Sequence, residues 1–137
     1  MRRRERERFD ALFEEVLANL PEPVQQMLEE CPIILEDRPS PEILAELGIE
    51  EDELLCGLHS GIPLTERSVE RPDHSEVIHV FREGVVDMAG GWEEGEDEDG
   101  AFGGEARIRE EIRITVLHEI GHHFGLDEDD LDRLGYA

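Results

Sequence analysis

Lysine is absent from this 137-residue sequence, and all 13 of its basic residues are arginine. The 37 acidic residues outnumber them and leave a formal net charge of −24. Nucleic acid is therefore excluded as an expected partner, because binding to phosphates needs a positive surface. Long apolar runs are also missing, so we predict neither a signal peptide nor a membrane-spanning segment and expect no membrane partner. These absences favour a cytoplasmic protein.

Cysteine is equally scarce, with only Cys31 and Cys56 in the chain. They lie far apart and form no C-x-x-C pair, which argues against both a disulfide framework and a thiolate zinc site. We interpret both as core residues in a reducing compartment.

The length predicts a single domain that spans residues 1–137. Two segments depart from the average composition. Residues 1–8 form an Arg/Glu-rich N-terminal extension, which we expect to begin a solvated helix and to which we assign no function. Residues 90–104 are rich in glycine and include six acids between positions 93 and 99. We predict a mobile acidic loop there, with neither helix nor strand.

Apolar periodicity predicts an α+β fold. One stripe at helical spacing predicts an N-terminal helix, and it consists of Phe9, Leu12, Phe13, Val16, Leu17 and Leu20. A second stripe predicts a helix over residues 105–124, and it consists of Ile108, Ile112, Val116 and Ile120. Residues 31–35 and 76–86 favour strands, and we expect a small sheet of three or four strands.

The second helix contains the sequence His118-Glu119-Ile120-Gly121-His122, which has the form H-E-x-x-H. On a helix this spacing places the two imidazoles one turn apart on one face, with Cβ atoms about 5–6 Å apart. Both can bind one zinc ion. Glu119 lies beside the pair, where its carboxylate can reach a zinc-bound water, and we predict that it is the general base.

Catalytic zinc needs a third protein ligand and an open fourth position. Gly125 can adopt the left-handed conformation that ends the helix and turns the chain back toward the metal. Glu128 is our first choice as third ligand, with Asp129 in reserve. Asp127 is suited to cap the next helix but remains an alternative ligand. The other histidines lack ligand spacing and are interpreted as structural, namely His59, His74, His79 and His123.

Two segments resemble the small bacterial zincin-like metallopeptidases, or minimal zincins. Residues 118–131 read HEIGHHFGLDEDDL, and residues 57–68 read GLHSGIPLTERS. The resemblance implies an α+β fold in which a small sheet packs on the H-E-x-x-H helix, flanked here by N- and C-terminal helices. It also implies zinc held by His118, His122 and an acid at position 128, with Glu119 as base. The chain departs from the family in lacking a Met-turn, in having Glu at position 128, and in its acidic insertion.

Two functions follow as hypotheses. The first is a zinc-dependent metallopeptidase whose substrates are peptides or proteins of neutral or basic character, since the negative surface disfavours acidic ones. The alternative is a zinc-binding protein-interaction module with an inactive or vestigial zincin site.

Overall fold

The computed structural model describes residues 1–50, 54–60 and 77–134. The helices in this part of the chain are α1 (Arg3–Ala18), α2 (Glu22–Glu30), α3 (Pro41–Leu47), α4 (Arg82–Ala89), α5 (Glu105–His123) and α6 (Glu128–Leu134). None of these helices is long and apolar enough to cross a lipid bilayer.

A three-stranded mixed sheet lies beside the helices, and its strands are β1 (Ile33–Glu36), β2 (Gly57–Ser60) and β3 (Val77–Phe81). Their order is β1-β3-β2, so β3 is central. It pairs in parallel with β1 and antiparallel with β2. The predicted α+β class and the predicted small sheet are thereby confirmed.

The core lies between α1, α5 and the sheet. Both predicted helical stripes face it, since Phe9 of α1 and Ile108 and Ile112 of α5 are fully buried. The central strand contributes Ile78 and Val80, which are fully buried as well. Burial of each such side chain contributes about 1.5–3 kcal/mol, so the two stripes fix α5 on the sheet.

The strand predicted over residues 76–86 is shorter than expected. It ends at Phe81, and the chain continues directly into α4. The helix α4 buries residues at helical spacing, namely Val85, Val86 and Ala89. The sequence favoured a strand here because a short run of β-branched residues does not distinguish a buried helix from a strand. Gly84 permits this packing, because a Cβ there would collide with the backbone carbonyl of Leu55.

The prediction that residues 90–104 form no strand is wrong. The segment contains an antiparallel hairpin of β4 (Gly95–Asp97) and β5 (Gly100–Phe102). Local turn chemistry accounts for it: Asp97 Oδ1 accepts a hydrogen bond of 2.8 Å from the Asp99 N–H, and Gly100 adopts a φ of +116°. The Phe102 ring also packs over Gly95, which has no side chain to obstruct it.

The arginine-rich start of the chain forms the first turns of α1, which agrees with the prediction that it begins a solvated helix. Its side chains reach other elements of the fold. Arg8 forms an ion pair of 2.8 Å with Glu105, the first residue of α5, and its guanidinium lies 4.6 Å from the ring centroid of Trp92. Arg6 forms an ion pair of 2.8 Å with Asp37. Part of the positive charge therefore holds α1 against its neighbours.

Candidate metal centre

His118 and His122 lie in the last two turns of α5, and their rings converge. Their Nε2 atoms are 3.0 Å apart, and the ring planes are inclined at 83°. Two nitrogen ligands of one tetrahedral zinc ion lie about 3.4 Å apart, so a small adjustment of either side chain admits the ion. His122 is exposed and His118 half-buried, which leaves the point where they meet open to solvent. The donor set and its geometry fit zinc.

Glu119 follows His118 but turns toward the sheet. It is only 9% exposed, and its carboxylate accepts a hydrogen bond from the backbone N–H of His59 in β2. Burial raises the pKa of Glu119, although the His118 ring and the His59 N–H act in the opposite direction. A carboxylate with a raised pKa is a stronger base than an exposed one.

The close approach of β2 to α5 depends on Gly57, the first residue of the strand. A Cβ at this position would lie 2.7 Å from Thr115 Cγ2 and 3.2 Å from Glu119 Cγ. Only glycine therefore lets the strand run against this helix face without displacement. In the order β1-β3-β2, this strand is at the edge of the sheet that the described residues form. The candidate base is thus held between α5 and β2.

The chain turns after α5 as the sequence predicts. Gly125 has a φ of +70°, and the Leu126 N–H donates to the Gly121 carbonyl over 2.7 Å. This is the left-handed ending that brings the following residues back toward the helix end. Asp127 then caps α6, because its Oδ1 accepts a hydrogen bond of 2.8 Å from the Asp130 N–H.

The third zinc ligand stays a prediction. Glu128 is the first residue of α6, and its side chain lies outside the described part of the structure. Asp129 is exposed. Since Asp127 is engaged as the helix cap, the choice lies between Glu128 and Asp129, with Glu128 the first choice.

A second group of potential ligands was not anticipated from the sequence. Cys31, His59 and His123 each offer a ligand atom, and these atoms all lie within 4.8 Å of one another. Cys31 and His123 are fully buried, and for Cys31 this agrees with its interpretation as a core residue. One feature of the sequence could have indicated this group. His123 places an imidazole on the face of α5 that carries the apolar stripe.

His79, the remaining described histidine outside the motif, is not part of this group. His79 makes a hydrogen bond of 2.7 Å with Glu36, which agrees with a structural role. His74 lies outside the described residues.

Comparison with known proteins places this geometry in a family. Residues 28–136 match the family model described as zincin-like metallopeptidase, and the match covers most of the chain. The matched range includes α5 and the whole three-stranded sheet. Among curated proteins, none matches the chain.

Proposed function

We propose that this chain, which belongs to the zincin-like metallopeptidase family, hydrolyses peptide bonds with zinc held by His118, His122 and Glu128. The observation that carries the proposal is the convergence of two Nε2 atoms, 3.0 Å apart, beside a carboxylate of raised pKa. A metal and a base are the two components that this reaction class needs.

His118, His122 and Glu128 would hold the zinc ion, which would supply Lewis-acid chemistry by acidifying water and polarising the scissile carbonyl group. Glu119 accepts the proton of the attacking water and later delivers it to the leaving amine. The hydrogen bond that the Glu119 carboxylate accepts from the His59 N–H fixes the position of the carboxylate. The burial of Glu119 excludes bulk water, which would lower the basicity of the carboxylate. Proton transfer of this kind contributes roughly 10²–10⁴-fold to the rate.

The edge strand β2 offers a place for the substrate. An extended peptide can add to a sheet edge through backbone hydrogen bonds, and this edge passes directly over Glu119. The net charge of the chain is −24, and four consecutive acids at positions 127–130 follow the end of α5 that carries the two histidines. We therefore propose neutral or basic peptides as substrates.

The alternative proposal, a zinc-binding interaction module with a vestigial site, is favoured by one observation. Glu119 is 9% exposed, and a base must reach the water that it activates. If the carboxylate stays on β2 when zinc is bound, the metal would be held without turnover.

Glu119→Gln separates the two functions. We expect this variant to keep the zinc content of the wild type and to lose about 10²-fold or more of its activity on a library of unfolded basic peptides. Glu110→Gln is the matched control, since Glu110 is an exposed carboxylate on the same helix and should leave the rate unchanged. A fully zinc-loaded wild-type protein that cleaves no peptide in the library would refute the peptidase and leave the interaction module.

His122→Ala tests the ligand assignment separately. It should lose the zinc bound at the end of α5, measured by mass spectrometry of the intact protein. Retention of the wild-type zinc content would contradict the assignment.

A further inference from the structure

We propose that Cys31, His59 and His123 form a second zinc site, distinct from the one on His118 and His122, that fastens the edge strand β2 to the end of α5. The three side chains come from different elements: Cys31 is the C-cap residue of α2, His59 lies in β2, and His123 is the last residue of α5. Their convergence is therefore a product of the tertiary fold.

The distances suit a metal of zinc's size. All three ligand atoms lie within 4.8 Å of one another, and the His59 and His123 rings are 5.8 Å apart between centroids, inclined at 71°. Around a tetrahedral zinc ion, sulfur and nitrogen ligands lie about 3.4–3.6 Å apart. A contraction of about 1 Å, which small side-chain rotations can supply, brings the three atoms to coordinating distance.

The donor chemistry also selects zinc. One thiolate and two imidazoles form a soft to borderline ligand set, which zinc accepts in tetrahedral sites and which magnesium and calcium do not favour. Zinc would displace the proton of the Cys31 thiol, so that one S–H bond breaks, one Zn–S bond forms and one proton is released to solvent. Two buried members, Cys31 and His123, surround the ion with the apolar core and limit access to it.

The location gives this site a structural consequence. His59 presents its ring to the second site, while its backbone N–H donates to the Glu119 carboxylate. His123 is adjacent in sequence to His122. Zinc at the second site would thus hold β2 at the distance from α5 at which Glu119 is hydrogen-bonded. We infer a positioning role, with no contact to substrate.

Cobalt substitution of the full chain detects this site by its sulfur ligand. Cobalt bound to a thiolate gives a near-ultraviolet charge-transfer band, whereas a site of two histidines and a carboxylate gives none. We expect the band in the wild type and its loss in Cys31→Ser. Absence of the band from the cobalt-loaded wild type, or its persistence in Cys31→Ser, would overturn the proposal.

Cys56→Ser is the matched control for the thiol. Cys56 is half-buried and lies outside the ligand group, and burial together with the nearby acids Glu111, Asp87 and Glu119 raises its pKa to about 11. The band should be unchanged in this variant. Loss of the band in Cys56→Ser alone would assign the sulfur ligand to Cys56 and refute the proposed site.

Zinc counting distinguishes this proposal from the proposed peptidase site. Intact-protein mass spectrometry should find two zinc ions in the wild type, one in His118→Ala/His122→Ala and one in Cys31→Ser. A single wild-type zinc that survives in Cys31→Ser and disappears in the double histidine variant would refute the second site and leave the first. The reverse result would refute the first site and support the second.

A second variant keeps the test valid if Cys31→Ser does not fold. His59→Asn changes a half-buried residue. Loss of an outer-shell partner lowers metal affinity by up to about 100-fold, so loss of the ligand His59 should lower the cobalt affinity of the thiolate site by more than that. In the His118→Ala/His122→Ala background, chelation should lower the Tm, and adding His59→Asn should abolish that shift. A shift that is unchanged by His59→Asn would contradict the proposal.

Discussion

Replacement of Gly57 by alanine tests how tightly β2 must lie against α5. The new Cβ would be 2.7 Å from Thr115 Cγ2, 3.1 Å from the His79 carbonyl oxygen and 3.2 Å from Glu119 Cγ. Relief of the shortest contact requires β2 to move by roughly 0.7–1 Å, and overpacking of this kind costs about 1–3 kcal/mol. The same movement lengthens the hydrogen bond between the His59 N–H and Glu119.

We therefore expect Gly57→Ala to unfold at a lower denaturant concentration and to lose roughly 10²-fold in kcat/KM, the effect of a 1 Å displacement of a catalytic group. Equilibrium urea unfolding gives the first quantity and a peptide assay the second. Thr115→Ser removes the methyl group that collides, so the double variant should recover much of the lost stability, while Thr115→Ser alone serves as the control. Wild-type stability and activity in Gly57→Ala would refute the proposed packing of β2 on α5.

Three further predictions concern the charges of the fold. Arg82→Ala should lower the free energy of unfolding, measured by urea titration, by about 1–3 kcal/mol, because this 12% exposed guanidinium donates to Asp10 and Asp37. Arg38 is exposed, so Arg38→Ala should lower the free energy of unfolding by less than about 1 kcal/mol in the same titration. Burial would raise the pKa of Asp37, but Arg6, the terminal ammonium and Arg82 outweigh it and hold the pKa below 3.8. The ionised Asp37 carboxylate therefore stabilises the fold at pH values above its ordinary pKa, and this stabilisation is lost as the pH falls through the lowered pKa. The difference in the free energy of unfolding between wild type and Asp37→Asn should accordingly shrink in acid. A difference that does not change with pH would be inconsistent with a lowered pKa of Asp37. Finally, basic peptides should be cleaved faster than acidic ones at low salt and the preference should fade at high salt, whereas equal rates at low salt would argue against electrostatic selection.

Local patterns in the sequence were sufficient for the parts of the fold that local physics determines. The buried stripes of α1 and α5 follow from spacing alone, and the His118 and His122 imidazoles meet because residues 118 and 122 are one helical turn apart. The left-handed turn at Gly125 follows from the one residue type that adopts it without strain. The sequence did not predict two further features, helix α4 and the β4–β5 hairpin, because their local patterns were ambiguous. Residues 82–89 carry β-branched residues in a helix, and the acidic segment forms a hairpin through an aspartate side chain and two glycines.

The proposed second metal site could not be predicted from spacing. Cys31, His59 and His123 are brought together by the β1-β3-β2 strand order and by the packing of α5 on that sheet. Each of these is a long-range property, so no window of the sequence contains the pattern. The third ligand of the first site is ambiguous for a different reason, because acids occupy four consecutive positions from 127 to 130.

An anomalous-difference map at the zinc absorption edge, from crystals of the zinc-loaded protein, would show directly whether the end of α5 is a zinc centre. We expect a peak about 2.0–2.1 Å from Nε2 of both His118 and His122, with a carboxylate oxygen from Glu128 as third ligand and Glu119 outside the coordination sphere. A protein that cleaves peptides but shows no zinc peak between these two histidines would contradict the proposed active site.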